Sequence, residues 1–510
     1  MPARVLVVGL DAAETSLLER WSAEGLLPAF ADLTRRAASF DLANTIDTLP
    51  AGIWPELNTG RSCGKTGFYF PARQLHTGDA DVRPVEPGEV DPRTYWSAAS
   101  DAGLRVAVVD MPLTIPQPGL NGVQVSEWGT HDRPFLVCSE PPGLLDELRA
   151  RHGDYPVWSA ERAGTSTRAA CDDHRSTTED YEKLLDDLLA GIERKTGLLL
   201  DLLRSESWDL FACAFGEPQC VGHQHWHLQD NPAAPPRLQN AIRNVYRGVD
   251  AALGALVEAA GPDATTLVVA SHGMGPHTGG LQLMPEVLVR LGMSSGHGVS
   301  ANVRSRLPIG VRSGLRRLVP SRVRKTLQTA AGSLPKPLES SQTRAVALDG
   351  DRVSWIRLNL RGREPFGAVE PGAEAEALVE ELRREMLALE DPESGERIVA
   401  AARTAAEAFG PDHHPDIPDL MVSFRTDLGQ IDACRSERVG LVRFPYRPPA
   451  QRSGSHPTDP SRLWMVGGGR GVSTSEGSVL DLAPTVLSLL DVPLPAGLDG
   501  RPLVAGSSRV

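Results

Sequence analysis

Six short β-rich runs punctuate the chain: Val5–Leu10, Arg105–Asp110, Leu210–Phe215, Thr266–Ala270, Leu420–Phe424 and Leu463–Val466. They are apolar on both faces, the pattern of strands covered on both sides of a parallel sheet. Amphipathic stretches lie between them. Ala12–Gly25 puts Leu17, Leu18 and Trp21 on one side, and Thr177–Arg204 spaces Leu184, Leu185, Leu188 and Leu189 helically. Arg237–Ala260 does the same with Val245, Val249, Leu253 and Leu256. The alternation predicts an α/β fold, a doubly wound and mostly parallel sheet with helices on both faces.

One stretch breaks the alternation. Ala301–Ala330 carries Arg304, Arg306, Arg312, Arg316, Arg317, Arg322, Arg324 and Lys325 and no acid, with Val311, Leu315, Leu318 and Val323 interleaved. It reads as a basic amphipathic insertion: a solvated cap, or a patch that attracts an anionic substrate or membrane surface. After it come a strand-like Val353–Leu360, a turn-rich Arg361–Gly367 and a charged helix near Ala373–Leu389. The expected organisation is a core over residues 1–295, a basic insertion and cap subdomain over 296–410, and the end of the core over 411–510.

Composition narrows the function classes. The 510 residues are 41% hydrophobic and 23% charged, a globular profile, and the net charge of −13 disfavours a general nucleic-acid binder. No apolar run reaches the roughly 18–20 residues of a membrane span, and the run at Val5 is too short for a signal peptide. The six cysteines form no C-x-x-C pair and read as free thiols. These features together give a cytoplasmic expectation.

In open α/β sheets, ligands bind beyond the carboxyl ends of the strands. The residues there are Asp11 after the first run, Glu217 to His223 after the third, Ser271-His272-Gly273 after the fourth, and Gly454-Ser455-His456 before the last. Histidines and acids from four distant segments thus gather at one edge. Imidazole suits zinc and its neighbours. If the segment is extended, His223, His225 and His227 share one face, although His225 and His227 read as ordinary loop residues. His413 and His414 are adjacent and point apart, which favours an exposed loop.

Four stretches carry a resemblance: Val7-Val-Gly-Leu-Asp11, Leu49-Pro-Ala-Gly-Ile-Trp-Pro-Glu-Leu-Asn-Thr-Gly60, Ser271-His-Gly-Met-Gly275, and Leu480-Asp-Leu-Ala-Pro-Thr-Val-Leu-Ser-Leu-Leu-Asp with Leu498-Asp-Gly-Arg-Pro-Leu. The chain resembles the alkaline phosphatase superfamily, in its type I phosphodiesterase/nucleotide pyrophosphatase-like branch. Arg357-Leu-Asn-Leu-Arg-Gly-Arg-Glu-Pro-Phe-Gly is similar to the cap region of that branch. The resemblance implies a metal-dependent hydrolase of phosphodiester or nucleotide pyrophosphate-like substrates, with a small anionic phosphoester bound and one or two divalent ions, zinc expected. By position, Asp11 and His272 would sit at one metal and His223 and His456 at the other, with Ser271 and Gln219 at two further positions of the ligand set.

Three departures accompany it. The family has Asp where this chain has Ser271, and Asp again where it has Gln219, so two carboxylates are replaced by a neutral hydroxyl and a neutral amide. Glu217 and Asp209 are the acids close enough in sequence to compensate. The family's Thr or Ser nucleophile, counted back from Thr59-Gly60, falls on Pro50, which leaves Thr48 as the candidate and Thr45 as the next. The formylglycine sulfatase motif Cys-x-Pro-x-Arg is absent, since Cys138-Ser-Glu-Pro-Pro and Cys434-Arg-Ser-Glu-Arg both fail it. The rival expectation is a catalytically degenerate member that binds an anionic ligand or a partner in the same cleft.

Overall fold

The computed structural model describes residues 3–45, 53–70, 73–130, 133–135, 137–157, 177–294, 337–350, 353–444, 453–456, 461–467 and 476–504. The basic segment 301–330, Thr48, Pro50 and Cys171 lie outside them. The chain folds as two compact units: Met1–Ala72 with Pro84–His277 and Pro448–Val510, and Arg73–Arg83 with Thr278–Arg447.

The first unit is built on a nine-stranded sheet. In chain order its strands are β1 (Ala3–Leu10), β2 (Ala38–Ala43), β3 (Val106–Val109), β4 (Gly122–Ser126), β5 (Cys138–Glu140), β6 (Trp208–Phe215), β7 (Thr265–Ala270), β8 (Ser461–Val466) and β9 (Glu476–Ser478). Across the sheet they run β9-β2-β8-β7-β1-β6-β3-β4-β5. Neighbours are parallel except around β8, which runs against both β7 and β2, and at β5 on the edge.

Side-chain alternation along the central strands divides the core in two. Leu6, Val8 and Leu10 with Phe211, Cys213 and Phe215 pack against Leu185 and Leu199 of the Thr178–Ser205 helix and Val245 and Leu253 of the Ala241–Ala260 helix. Val5 and Val7 with Leu210, Ala212 and Ala214 pack on the other face, against Trp54, Leu57, Trp96 and Val486. Each fully buried Leu or Val in these layers contributes roughly 1.5–3 kcal/mol relative to exposure. Because both faces are covered, the central strands are continuously apolar, as the sequence pattern requires.

One strand was assigned to the wrong sheet by that pattern. Leu420–Phe424 is antiparallel and belongs to the second unit, where the sheet order is Ala345–Gly350, Val353–Leu358, Leu420–Phe424, Val399–Thr404. It is flanked by strands on both sides and buried throughout, so it carries the same apolar signature as a parallel core strand. The Ala373–Leu387 helix adds Leu378, Leu382 and Met386 to that unit's core. The Arg357 motif is a self-contained polar knot there. Arg357 is fully buried, bonded to Glu364 at 2.8 Å and to the carbonyls of Pro415 and Asp416, while Asn359 donates to the carbonyls of Thr343 and Phe366. Among the described residues, no helix is long and apolar enough to cross a membrane.

Candidate functional site

The carboxyl ends of β1, β6 and β7 deliver Asp11, the Glu217–His225 helix and Ser271-His272 to one edge of the first unit's sheet. The reversed direction of β8 completes the set. Arg462 pairs with Ala270, so the residues just before β8 return to the same edge. Gly454–Ser455 then pairs with Gly275–Pro276, which seats His456 beside the His272 loop. The approach is too close for any side chain at position 454, where a Cβ would stand 2.3 Å from the Gly222 carbonyl oxygen.

The sequence-predicted residues that are described do come together, and all are buried: Asp11 at 3% exposure, Gln219 9%, His223 1%, Ser271 0%, His272 4% and His456 3%. The His456 ring lies edge-on to both other imidazoles, with centroids 4.7 Å from His223 and 4.3 Å from His272. His223 Nδ1 is 2.8 Å from the Gly454 carbonyl oxygen and His456 Nδ1 is 3.1 Å from that of Gly273. A carbonyl can only accept, so both rings donate from Nδ1. Ser271 Oγ lies 2.8 Å from His272 Nδ1 and 3.4 Å from Asp11 Oδ1.

Asp11 is held differently. The Trp54 indole N–H donates to Oδ1 at 2.6 Å. Gln219, its amide oriented so that donor meets acceptor, gives NH2 hydrogens to both carboxylate oxygens. The backbone turns sharply just after, with Ala12 in the left-handed region at φ 51°, and the Ala12 amide reaches Ser271 Oγ.

Trp54 sits on the Ile53–Thr59 helix, which several groups fix in place. Asp499 accepts from the Ser62 amide and its own amide bonds the Gly60 carbonyl, while Asp481 accepts from the amides of Ser478 and Arg501. The carboxy-terminal motif therefore works as a clamp on this helix. Glu56 provides a second anchor, accepting from the Cys63 amide and the Thr45 hydroxyl, each at 2.7 Å. Burial raises its pKa from 4.5 to about 7 against the lowering effect of those two donors, with Asp499 adding to the rise. The folded state binds this proton more readily than the unfolded chain between those values. Stability therefore falls as pH climbs from 4.5 to 7 and levels off above it. Glu56→Gln should remove this dependence and gain about 3 kcal/mol above pH 7 relative to the parent. Chemical denaturation at pH 5, 6, 7 and 8 would reveal it, and parallel curves for the two proteins would refute it.

The acids expected to compensate do not reach the site. Glu217 is fully buried, taking the Tyr155 hydroxyl at 2.8 Å and facing Lys195 Nζ at 3.6 Å. Lys195 also lies 3.3 Å from Asp110 and donates to the carbonyls of Gly129 and Ala214. Burial works against the Lys195 ammonium, but Glu217 and Asp110 outweigh it and hold its pKa above the ordinary value. Asp209 bonds Arg4 and the Arg105 amide near the start of β6, away from the edge that carries the site.

Other histidines of the sequence reading have partners of their own. Residues 217–225 are helical rather than extended, because Pro218 in the first turn favours helix initiation. Residues two apart on a helix face different ways, and His225 is buried with Nε2 3.1 Å from the Tyr181 carbonyl. His227 Nδ1 lies 2.8 Å from Ser453 Oγ, and burial lowers its pKa. His413 and His414 belong to the second unit and bond within their own loop, to the Gly410 carbonyl and the Asp416 amide. Thr45 is described and its hydroxyl is engaged by Glu56.

Trp54 was not read as a site residue from sequence, although it lies inside a motif stretch. The signal was Gly9, one turn of strand before Asp11: a Cβ there would stand 2.4 Å from Trp54 Cη2.

The mixed central sheet with a smaller inserted sheet has the α/β architecture of the alkaline phosphatase superfamily, to which the chain belongs. Within it, this chain belongs to the type I phosphodiesterase/nucleotide pyrophosphatase family, whose pattern matches residues 5–429. Among solved structures it is similar to phosphonoacetate hydrolase from Sinorhizobium meliloti 1021. The complex with phosphonoformate gives a TM-score of 0.51 at 15% identity, and that with phosphonoacetate 0.50 at 14%, covering 96% of both chains in each case. It is also similar to murine ectonucleotide pyrophosphatase/phosphodiesterase 5, inactive and in complex with AMP, with a TM-score of 0.48 and 11% identity over 99% of this chain and 100% of that one. No curated protein sequence matches the chain.

The donor set decides which cations suit the pocket. Among the described residues that converge, the donors are three imidazoles and one carboxylate, which already accepts from the Trp54 N–H. Among the described residues, no three His, Cys, Asp or Glu side chains are arranged to hold one metal ion. A two-metal centre does not fit these residues.

Proposed function

We propose that the chain hydrolyses a phosphoester, a diester or a nucleotide-like pyrophosphate, at this edge of the sheet. His223 and His456 hold a single divalent cation, zinc, and Thr48 is the nucleophile. The observation that carries this reading is the convergence of imidazoles from three distant segments, two of them with Nδ1 committed to a backbone carbonyl. Family membership supports the reaction class. Thr48 is preferred to Thr45 because the Thr45 hydroxyl is spent on Glu56.

In this reading the Thr48 oxygen bonds to phosphorus as the leaving oxygen departs, and water then cleaves the phosphothreonine and restores the threonine. When bound, the cation supplies Lewis-acid stabilisation of the phosphoryl oxygens. The chain's own part is to fix the two imidazoles through Gly454 and Gly273 and to keep them dry.

A second reading, a degenerate member that binds an anion without turnover, is favoured by the engagement of Asp11 with Trp54 and Gln219. Zinc titration calorimetry on the full chain, with assays on bis-p-nitrophenyl phosphate and p-nitrophenyl phosphate in zinc, manganese and magnesium, separates the two. One equivalent of zinc with turnover supports the hydrolase. No cation and no turnover overturns it and leaves the binder.

A further inference from the structure

The three segments that carry the clustered imidazoles meet around one side chain. Met274, two residues after His272, is 1% exposed. A Cβ at Gly222, the helix residue just before His223, would stand 2.6 Å from Met274 Cγ and 2.9 Å from its Cε. A Cβ at Gly454, two residues before His456, would stand 3.0 Å from Met274 Sδ. Met274 therefore packs on bare backbone beside each of the other two histidines, and its thioether fills the space between their segments. Its own backbone is anchored. The Met274 amide donates to Glu14 Oε2 at 3.0 Å, while Glu14 Oε1 accepts from the Ser16 amide and hydroxyl. The hydrogen bonds from His223 to the Gly454 carbonyl and from His456 to the Gly273 carbonyl join the same three segments. Those bonds orient the rings, and a packed side chain sets how far apart the segments stand.

We propose that Met274 is a positioning residue for the imidazole cluster, the spacer that sets the separation of the His223, His272 and His456 segments. It touches no reacting atom. Its bearing on turnover rests on the hydrolase reading above, whereas its bearing on ring geometry does not.

Reciprocal substitution tests it on full-length protein labelled at the histidine ring carbons. Nuclear Overhauser contacts from the His456 ring to those of His223 and His272 read the spacing, and thermal denaturation reads the fold. In a helix, replacing Gly by Ala ordinarily raises stability. Here Gly222→Ala is expected to lower it and to lose the His223–His456 contact, and adding Met274→Ala to it is expected to recover both. Met274→Leu, close in volume, should keep the ring contacts, and Met274→Ala alone should weaken them. A Gly222→Ala protein that gains stability and keeps its contacts overturns the proposal, as does a double variant no closer to the parent than Gly222→Ala. If Gly222→Ala does not fold, Met274→Leu and Met274→Ala decide, and equal ring contacts in those two overturn it. Where the parent hydrolyses bis-p-nitrophenyl phosphate, the rates should follow the ring contacts through the series. A parent without turnover counts against the hydrolase reading, and the ring contacts alone then decide on Met274.

Discussion

Lys195→Met is expected to destabilise the protein by about 3–5 kcal/mol, the range for breaking a buried ion pair from one side. The ammonium is fully buried between Asp110 and Glu217 and also satisfies two carbonyls. Methionine preserves most of the stem and packs in the same space, so the loss reports the charge rather than a cavity. Two buried carboxylates then face each other across an apolar gap, with the Tyr155 hydroxyl and the amides of Trp128 and Gly129 as partial compensation. Adding Glu217→Gln to Lys195→Met should recover part of the stability, because removing both partners of a buried pair costs less than removing one. Denaturant titrations of the parent, both single variants and the double variant give the coupling. A Lys195→Met loss under 1 kcal/mol, well below the buried-pair range, would show that water reaches the cluster.

His456→Ala should abolish zinc binding in the micromolar range and lower any phosphoesterase activity by more than about 100-fold. Removing a mere supporting partner of a metal ligand already costs roughly 10–100-fold. His456 is the ring shared by the other two imidazoles, at 4.7 and 4.3 Å between centroids. The variant loses a hydrogen bond to the Gly273 carbonyl and the contacts of a buried ring, so its folding is checked by denaturation alongside. His413→Ala, in the second unit, should leave both properties unchanged. Calorimetry and bis-p-nitrophenyl phosphate hydrolysis measure the difference, and equal behaviour of the two variants would remove His456 from the site.

The central strands were legible because a strand buried on both faces leaves an unbroken apolar run, as in Val5–Leu10 and Leu210–Phe215. A strand such as Ala38–Ala43, paired on both sides but with alternating buried and exposed positions, leaves no such run. The same signature misplaced Leu420–Phe424, since periodicity reports burial and is silent on direction or sheet. The convergence of Asp11, His223, His272 and His456 was legible because the position of a strand's carboxyl end is topologically fixed. What held them was not. The engagement of Asp11 by Trp54 depends on a helix rotation that no spacing rule encodes. Lys195 did leave a trace: it is a lone cation on the apolar stripe Leu188-Ile192-Leu199 of its helix.

The reversed strand β8 also bears on how the molecule is made. β2, at residues 38–43, has only β8 and β9 as neighbours, and both arrive with the last fifty or so residues. During synthesis on the ribosome an early ribbon must wait, without a pairing partner in this sheet, for almost the entire polypeptide to emerge. Such distant pairing slows folding and prolongs the life of unpaired edges. Because His456 arrives on the same late segment, the imidazole cluster too is assembled only after that wait.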